Sequence, residues 1–595
     1  MSGRHTEEAG PLKLPPGKGT YGLALLSGMM LGFSFPPFRL GILACFGLVP
    51  LLIAITSAGR LGSALKLTYV SMFVFHLITL NWTGGYVHGN DPYMMIAGAL
   101  TIILHPLFYC LPLGLFHFVR KKLGESAGLL ALPFLWVGYE YSHSLSEWSF
   151  PWLTIGNSQS YDLARIQFIS FTGIWGLSFW IIVINVAAYK LYRTLACRPE
   201  DLLPRRAIGI AAVLTMLYLL PSVVGTYVLS TAPPAGNAPG PGPGTGPGTG
   251  QGTGQETGPV IGPVTGMGIT VGIIQSNVDP WEKWTRRGSD LASLYLGLTR
   301  RLIEEHPAHA PQIVLWPETA VTGFPLLPGS RPILDRLKAG VDSMHVSVLT
   351  GIDHAEIYRD PSKAPPSARL SPMTGQRYDT FNAAAFIEPG AGEIPWYGKM
   401  KMVPIAERIP YADMFAFLDF MRWGVGIGGW QIGPDTTVFT DRATGAKFSA
   451  IICYESTYPG FVASFVRKGA SFIALITIDS WWGKMSGAYQ HKQIAVFRAV
   501  ENRRWIARCA VGGISCFIDP YGRSNDDTEL FTQRVLSRTI GTDDRLTFYT
   551  RHGDWLGEAA LLAAFMFAAA AAGQSFTDRR YRESWQNNSQ HNSST

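Results

Sequence analysis

The stretch "SAIICYESTYP", residues 449–459, decides how the chain is read. An apolar, β-branched run ends abruptly in Cys453-Tyr454-Glu455, and a helix is predicted over 456–468. A strand buried on both faces has this continuous apolar composition, whereas a strand wet on one face alternates. The same pattern recurs on either side. "GITVGIIQSNV", "QIVLWPE", "VSVLTGID" and "NAAAFIEP" precede it as strands, and "SFIALITID" and "GGISCFIDPYG" follow. Between them, "SDLASLYLGLTRRLIEEH" reads as an amphipathic helix capped by Ser289, with further helices near 331–341 and over 486–506. Residues 264–550 are thus an α/β domain, large enough to bury a full core.

Outside that domain the composition changes. The 595-residue chain is 47% apolar and only 15% charged, and the few charges of the first 230 residues cluster between long apolar runs. These runs (20–37, 39–58, 67–84, 93–118, 126–145, 166–189, 207–229 and 555–573) predict about eight membrane spans. The expected organisation is a transmembrane domain over 1–230, a linker over 231–263, the α/β domain, a last span over 551–575 and a tail over 576–595. The linker is nearly all Gly, Pro, Thr and Ala, a composition that cannot bury enough surface to fold. Lys and Arg gather before the first span and after the second, fourth, sixth and last. Arg39 and Arg165 are the exceptions on the alternate loops. The positive-inside rule therefore puts both termini in the cytoplasm and the α/β domain on the outer side. The net charge of +7 is accounted for by this anchoring charge and calls for no nucleic acid. The six cysteines show neither a metal spacing nor a disulfide framework, and no metal or organic cofactor is expected. His76, His88 and His105 have no ligand spacing, and His491 reads as structural.

Three polar residues fall where strands give way to loops: Glu318 in "LWPETA", Lys399 in "YGKMKMVP" and Cys453. Each alone has an ordinary explanation, the cysteine most of all, since a free Cys is usually a small core residue. Together they supply a base, a cation for an oxyanion and a thiol nucleophile. Lys401, two residues after Lys399, shares its face if the strand is extended.

Glu-Lys-Cys on successive α/β strands resembles the nitrilase, or carbon–nitrogen hydrolase, superfamily. With about seven spans before the domain and one after it, the whole chain resembles the apolipoprotein N-acyltransferase family. The resemblance rests on "QSNVDPWEKW" (Trp284), "LWPETA", "YGKMKMVPIAERIPY" with Glu407 eight residues after Lys399, "CYES", and "QHKQIAVFRAVENRRWIAR". In the membrane part it rests on "FPWLTIGNSQ" (150–159) and Asn185. The chain departs from the family's usual residues at "VPIAE", Ile478 and Val511.

The resemblance implies a nitrilase-like α-β-β-α sandwich inserted in an all-α membrane bundle. It implies a bacterial inner-membrane protein whose catalytic side is periplasmic. Glu318 would be the base, Lys399 the oxyanion group and Cys453 the nucleophile, with Glu407, Glu455, Tyr454 and Trp284 lining or supporting the site. The implied reaction is ping-pong. An acyl chain passes from a phospholipid such as phosphatidylethanolamine to Cys453, and then to the α-amino group of a diacylglyceryl apolipoprotein. The alternative is a membrane-tethered amidase acting on small carbon–nitrogen substrates, which leaves the spans unexplained.

Overall fold

The computed structural model describes residues 18–85, 92–196, 203–233, 268–411 (except 367 and 373), 414 and 429–592. His88 and the linker from 234 to 263 lie outside the described residues.

The amino-terminal part is all helical. Its elements are α1 (Lys18–Phe33), α2 (Ile42–Gly47), α3 (Val49–Ser57), α4 (Leu61–Thr79), α5 (Pro92–Leu104), α6 (Cys110–Leu123), α7 (Glu125–Ser144), α8 (Ile169–Ala196) and α9 (Leu203–Thr231). Among the described residues, five helical stretches are long and apolar enough to cross a membrane: 61–79, 94–123, 165–196, 205–231 and 555–580. The second expected run is interrupted at Leu48, where α2 meets α3. Asn185 of α8 repairs the break: its Oδ1 accepts the Leu48 N–H at 2.9 Å, and its Nδ2 donates to the Ala44 carbonyl at 2.8 Å. The fourth run contains a 3-10 turn at His105–Tyr109 between α5 and α6. The run over 126–145 folds as α7, but it carries Glu140 and His143 and is not among the five long apolar stretches.

Among the described residues the α/β part has thirteen strands. They are β1 (Gly268–Gln275), β2 (Ile313–Leu315), β3 (Ser347–Tyr358), β4 (Arg369–Leu370), β5 (Arg377–Ile387), β6 (Trp396–Gly398), β7 (Val438–Thr440), β8 (Lys447–Ile452), β9 (Phe472–Thr477), β10 (Ile506–Ala510), β11 (Cys516–Ile518), β12 (Ser524–Asn525) and β13 (Arg534–Gly541). One sheet has the order β13-β1-β2-β3-β5-β4, with β6 paired to β5; the other runs β12-β11-β10-β9-β8-β7. The helices between them are α10 (Gly288–Glu305), α11 (Arg331–Met344), α12 (Pro459–Arg467) and α13 (Ser486–Asn502).

Alternating side chains account for the layers. On the first sheet, Ile273, Leu315, Leu349 and Phe386 join the apolar core shared with Phe448, Ala450 and Leu475 of the second. Their neighbours Ile274, Val314, Val348 and Ala385 pack instead with Tyr295 and Leu302 of α10 and Leu337 of α11. A strand that must bury both faces cannot be read as alternating, which is why these runs are continuous. The result is the α-β-β-α sandwich implied by the resemblance.

Three local readings are corrected. Helix α10 begins at Gly288 without a side-chain cap, so Ser289 lies in its first turn. Helix α13 stops at Asn502, because Arg503 adopts a left-handed conformation (φ 50°) and the chain turns into β10. The domain closes not on "GGISCFIDPYG" but on β13, which crosses back to pair antiparallel with β1. Beyond it, α14 (Phe548–His552) leads to α15 (Trp555–Asn592), so the last helix continues through most of the expected tail.

Candidate active site

Glu318, Lys399 and Cys453 lie just past the carboxyl ends of β2, β6 and β8, respectively. The Glu318 loop is stitched onto β3 by the Gly351 N–H to the Pro317 carbonyl (3.2 Å) and the Val321 N–H to the Gly351 carbonyl (3.2 Å). A Cβ at Gly351 would meet the Thr319 nitrogen at 2.3 Å, so only glycine lets this loop lie against the strand.

Glu318 is 4% exposed and its carboxylate is fully engaged. Oε1 accepts from Asn382 Nδ2 at 2.7 Å and Lys399 Nζ at 3.3 Å; Oε2 accepts from the Ile478 N–H at 3.0 Å. Lys399 is fully buried and also donates to Glu407 Oε1 at 2.7 Å. Glu407 Oε2 in turn takes the Val403 N–H at 2.8 Å. Burial alone would lower the Lys399 pKa, but the Glu318 and Glu407 carboxylates outweigh it and hold the ammonium charged well above the ordinary lysine range. Lys401 points elsewhere, over the Tyr458 ring at 5.0 Å.

Cys453 is a non-glycine residue at φ 52°. Such a conformation is costly unless its surroundings enforce it, and here they do. Glu455 Oε2 accepts the Ile452 N–H at 2.8 Å; its Oε1 accepts from Tyr397 Oη at 2.6 Å and the Met400 N–H at 2.7 Å. Burial raises the Glu455 pKa to about 7 against these hydrogen bonds. From the other side, His491 Nε2 lies 3.1 Å from the Cys453 carbonyl and 2.9 Å from Ser456 Oγ, while its Nδ1 pairs with Asp479 at 2.8 Å. His491 is therefore structural in a specific sense, as a strut of the Cys453 turn. Burial, then the Glu318 charge, push the Cys453 thiol far above its ordinary pKa, against the pull of Lys399. A thiol held this way rests protonated and would need a base to act as a nucleophile.

A cavity of about 420 Å³ opens onto Cys453, Glu318 and Glu407. It runs between the α/β domain and the membrane helices, where Ala97, Leu100 and Leu104 of α5 form its far wall. Tyr454 lines it, with its hydroxyl donating to the Ser149 carbonyl at 3.0 Å and its ring stacked 6.4 Å from Trp152. Trp152 belongs to "FPWLTIGNSQ", which folds as two buried 3-10 turns, Pro151–Leu153 and Ile155–Gln159. Trp284 does not line the cavity; it packs 6.5 Å from Trp430, and Trp281, Trp481 and Trp482 take the wall positions. The orientation of a short 3-10 turn, Glu282–Thr285, decides which tryptophan faces in. Sequence reasoning missed Asn382 and the role of His491, because both act across long separations in the chain. The departures Ile478 and Val511 pack together in one small apolar cluster, and Glu318 uses only the Ile478 backbone.

Sandwich and site define a carbon–nitrogen hydrolase domain, and residues 273–544 match the family model described as carbon-nitrogen hydrolase. Residues 27–187 match the model of the apolipoprotein N-acyltransferase N-terminal domain. A Chlorobaculum tepidum apolipoprotein N-acyltransferase is 33% identical over 92% of this chain and 96% of its own. One from Geobacter metallireducens is 27% identical over 93% and 95%. Among solved structures, a nitrilase-superfamily member of Saccharomyces cerevisiae (15% identity, TM-score 0.33) covers 46% of this chain and 90% of its own. A Nesterenkonia amidase (14%, TM-score 0.34) covers 49% and 96%. The chain belongs to the apolipoprotein N-acyltransferase family.

Proposed function

We propose that this protein moves a fatty acyl chain from a phospholipid to the α-amino group of the N-terminal diacylglyceryl-cysteine of apolipoproteins, through a thioester on Cys453. Glu318 takes the thiol proton as sulfur attacks the ester carbonyl, then returns it to the departing lysophospholipid oxygen. The Lys399 ammonium, held charged by its two carboxylates, stabilises the tetrahedral oxyanion. Glu407 fixes Lys399, Glu455 and His491 hold the Cys453 turn, and Tyr454 shapes the acyl wall. The amine then attacks the thioester and the amide departs.

One observation carries this reading: the cavity that reaches Cys453 is walled on its far side by apolar residues of α5. An acyl chain drawn from the bilayer suits such a wall, whereas a small amide leaves it unfilled. The positive-inside pattern supports an inner-membrane protein with the catalytic side outward and both termini in the cytoplasm. The test is the intact mass of the purified protein after incubation with phosphatidylethanolamine, beside Cys453→Ala. The expected result is an added acyl mass on the parent alone, discharged by a diacylglyceryl-cysteine peptide. No adduct on the folded parent protein overturns the thioester.

A further inference from the structure

One buried cluster has no part in the chemistry above. Three imidazoles stand in a row where α4, the 3-10 turn after α5, and α7 meet. His76 Nδ1 lies 2.6 Å from the Met72 carbonyl, and His76 Nε2 lies 2.7 Å from His105 Nδ1. His105 Nε2 lies 3.0 Å from His143 Nε2, which also receives the Phe150 N–H at 3.2 Å. His105 lines the same cavity as Cys453 and Glu318.

The two ends of the row fix its polarity. A carbonyl only accepts, so His76 Nδ1 carries a hydrogen and its Nε2 offers a lone pair. A backbone N–H only donates, so His143 Nε2 must also offer a lone pair. Both neighbours therefore ask His105 for a hydrogen. All four contacts are made only when both nitrogens of His105 are protonated; with three neutral rings one contact stays unmade. The row is complete when it holds one extra proton, and that charge is shared along hydrogen-bonded rings rather than buried on one.

The two-step reaction proposed above has one proton too many, and the inference rests on that reading. In the first step the thiol proton leaves with the lysophospholipid, so nothing is left over. In the second, the amine enters as R–NH₃⁺, the N–C bond forms and the C–S bond breaks. The amide keeps one hydrogen, one proton returns to sulfur, and one must be taken away. Glu318 can carry only one at a time. We propose that the His76–His105–His143 row takes the other, with His105 as the base that faces the incoming ammonium. Among the described residues, the other titratable groups facing the row are Tyr109 and Tyr139, with Glu318, Glu407 and Cys453 across the cavity; no carboxylate bonds to any of the three rings.

The test uses full-length protein preloaded with acyl from phosphatidylethanolamine, and follows its discharge by intact mass. Two nucleophiles are compared: a diacylglyceryl-cysteine peptide, and hydroxylamine, which is uncharged at neutral pH. An α-amino group with a pKa of about 8 is only about one-tenth neutral at pH 7. His76→Leu, which is off the cavity, should therefore discharge to the peptide about tenfold more slowly at pH 7. The difference should disappear above the amine's pKa, and discharge to hydroxylamine should keep the parent rate. Acyl loading, which needs no net proton removal, is the folding control. Equal slowing with both nucleophiles, slowing that persists at high pH, or no slowing each overturns the role. A parent protein that never acquires acyl overturns the thioester itself, and this inference with it.

Discussion

At Glu318 three donors converge on one carboxylate: an amide, an ammonium and a backbone N–H. Glu318→Gln puts an NH₂ among those donors and removes the base. Acyl-enzyme formation should fall by roughly 10²–10⁴-fold, the range that general bases supply, as read from the time course of the acyl mass. Lys399→Met should be as damaging, because it leaves Glu318 and Glu407 buried without their cation. Asp479 makes a pH prediction. Burial would raise its pKa, but Arg508, 2.7 Å away, and then His491 bring it down to about 2. A depressed carboxyl contributes stability that is complete above its unfolded value and is lost as pH falls through the folded one. The contribution, about 2 kcal/mol on a shift of this size, should hold at neutral pH and disappear between roughly pH 4 and 2. Asp479→Asn should flatten that acid limb in thermal unfolding of the detergent-solubilised protein.

At the scale of elements, the patches that join helices and domains are sharper targets than the helices themselves. Asn185→Leu leaves the Leu48 N–H and the Ala44 carbonyl without their bonds at the α2–α3 break. An unmet buried polar group costs about 1–3 kcal/mol, which thermal unfolding of the detergent-solubilised variant should register. Gln490 of α13 accepts from the indoles of Trp82 (3.0 Å) and Trp152 (2.7 Å) and donates to the carbonyls of Pro36 and Thr79. Gln490→Leu should weaken acyl transfer while leaving the sandwich folded, seen as lost activity with unchanged far-ultraviolet dichroism. Legibility in the sequence divides along the same lines. Glu318 and Cys453 were visible because each follows a continuous apolar run, and Lys399 because its eight-residue spacing to Glu407 fits the family resemblance. Strand β10 was missed because the predicted helix ran on to 506, and only the left-handed turn at Arg503 separates α13 from the strand. Strand β13 was missed because "RVLSRTIG" is half polar. Trp281 was passed over for Trp284 because neighbouring indoles differ only in how a four-residue turn faces.

For the molecule as a whole, the site is made by two parts that meet. The sandwich brings Cys453, Glu318 and Lys399 together; the amino-terminal helices bring one wall of the cavity. A bulky residue on that wall should therefore alter which acyl chains fit without touching the chemistry. Ala97→Phe is expected to shift transfer towards shorter chains, as measured by competition between phosphatidylethanolamines of different chain length. An unchanged preference would show that the chain lies elsewhere.

Tyr454, next to Cys453, stacks against Trp152, and its hydroxyl donates to the Ser149 carbonyl of the membrane part, with the Tyr458 hydroxyl as a further hydrogen-bond neighbour. This contact acts as an evolutionary ratchet. Deleting the helices would bare an aromatic face beside Cys453 and remove the carbonyl to which the Tyr454 hydroxyl donates. A version of the domain without the helices would need Tyr454 and its surroundings rebuilt. The two halves can diverge in sequence, but they must be inherited together.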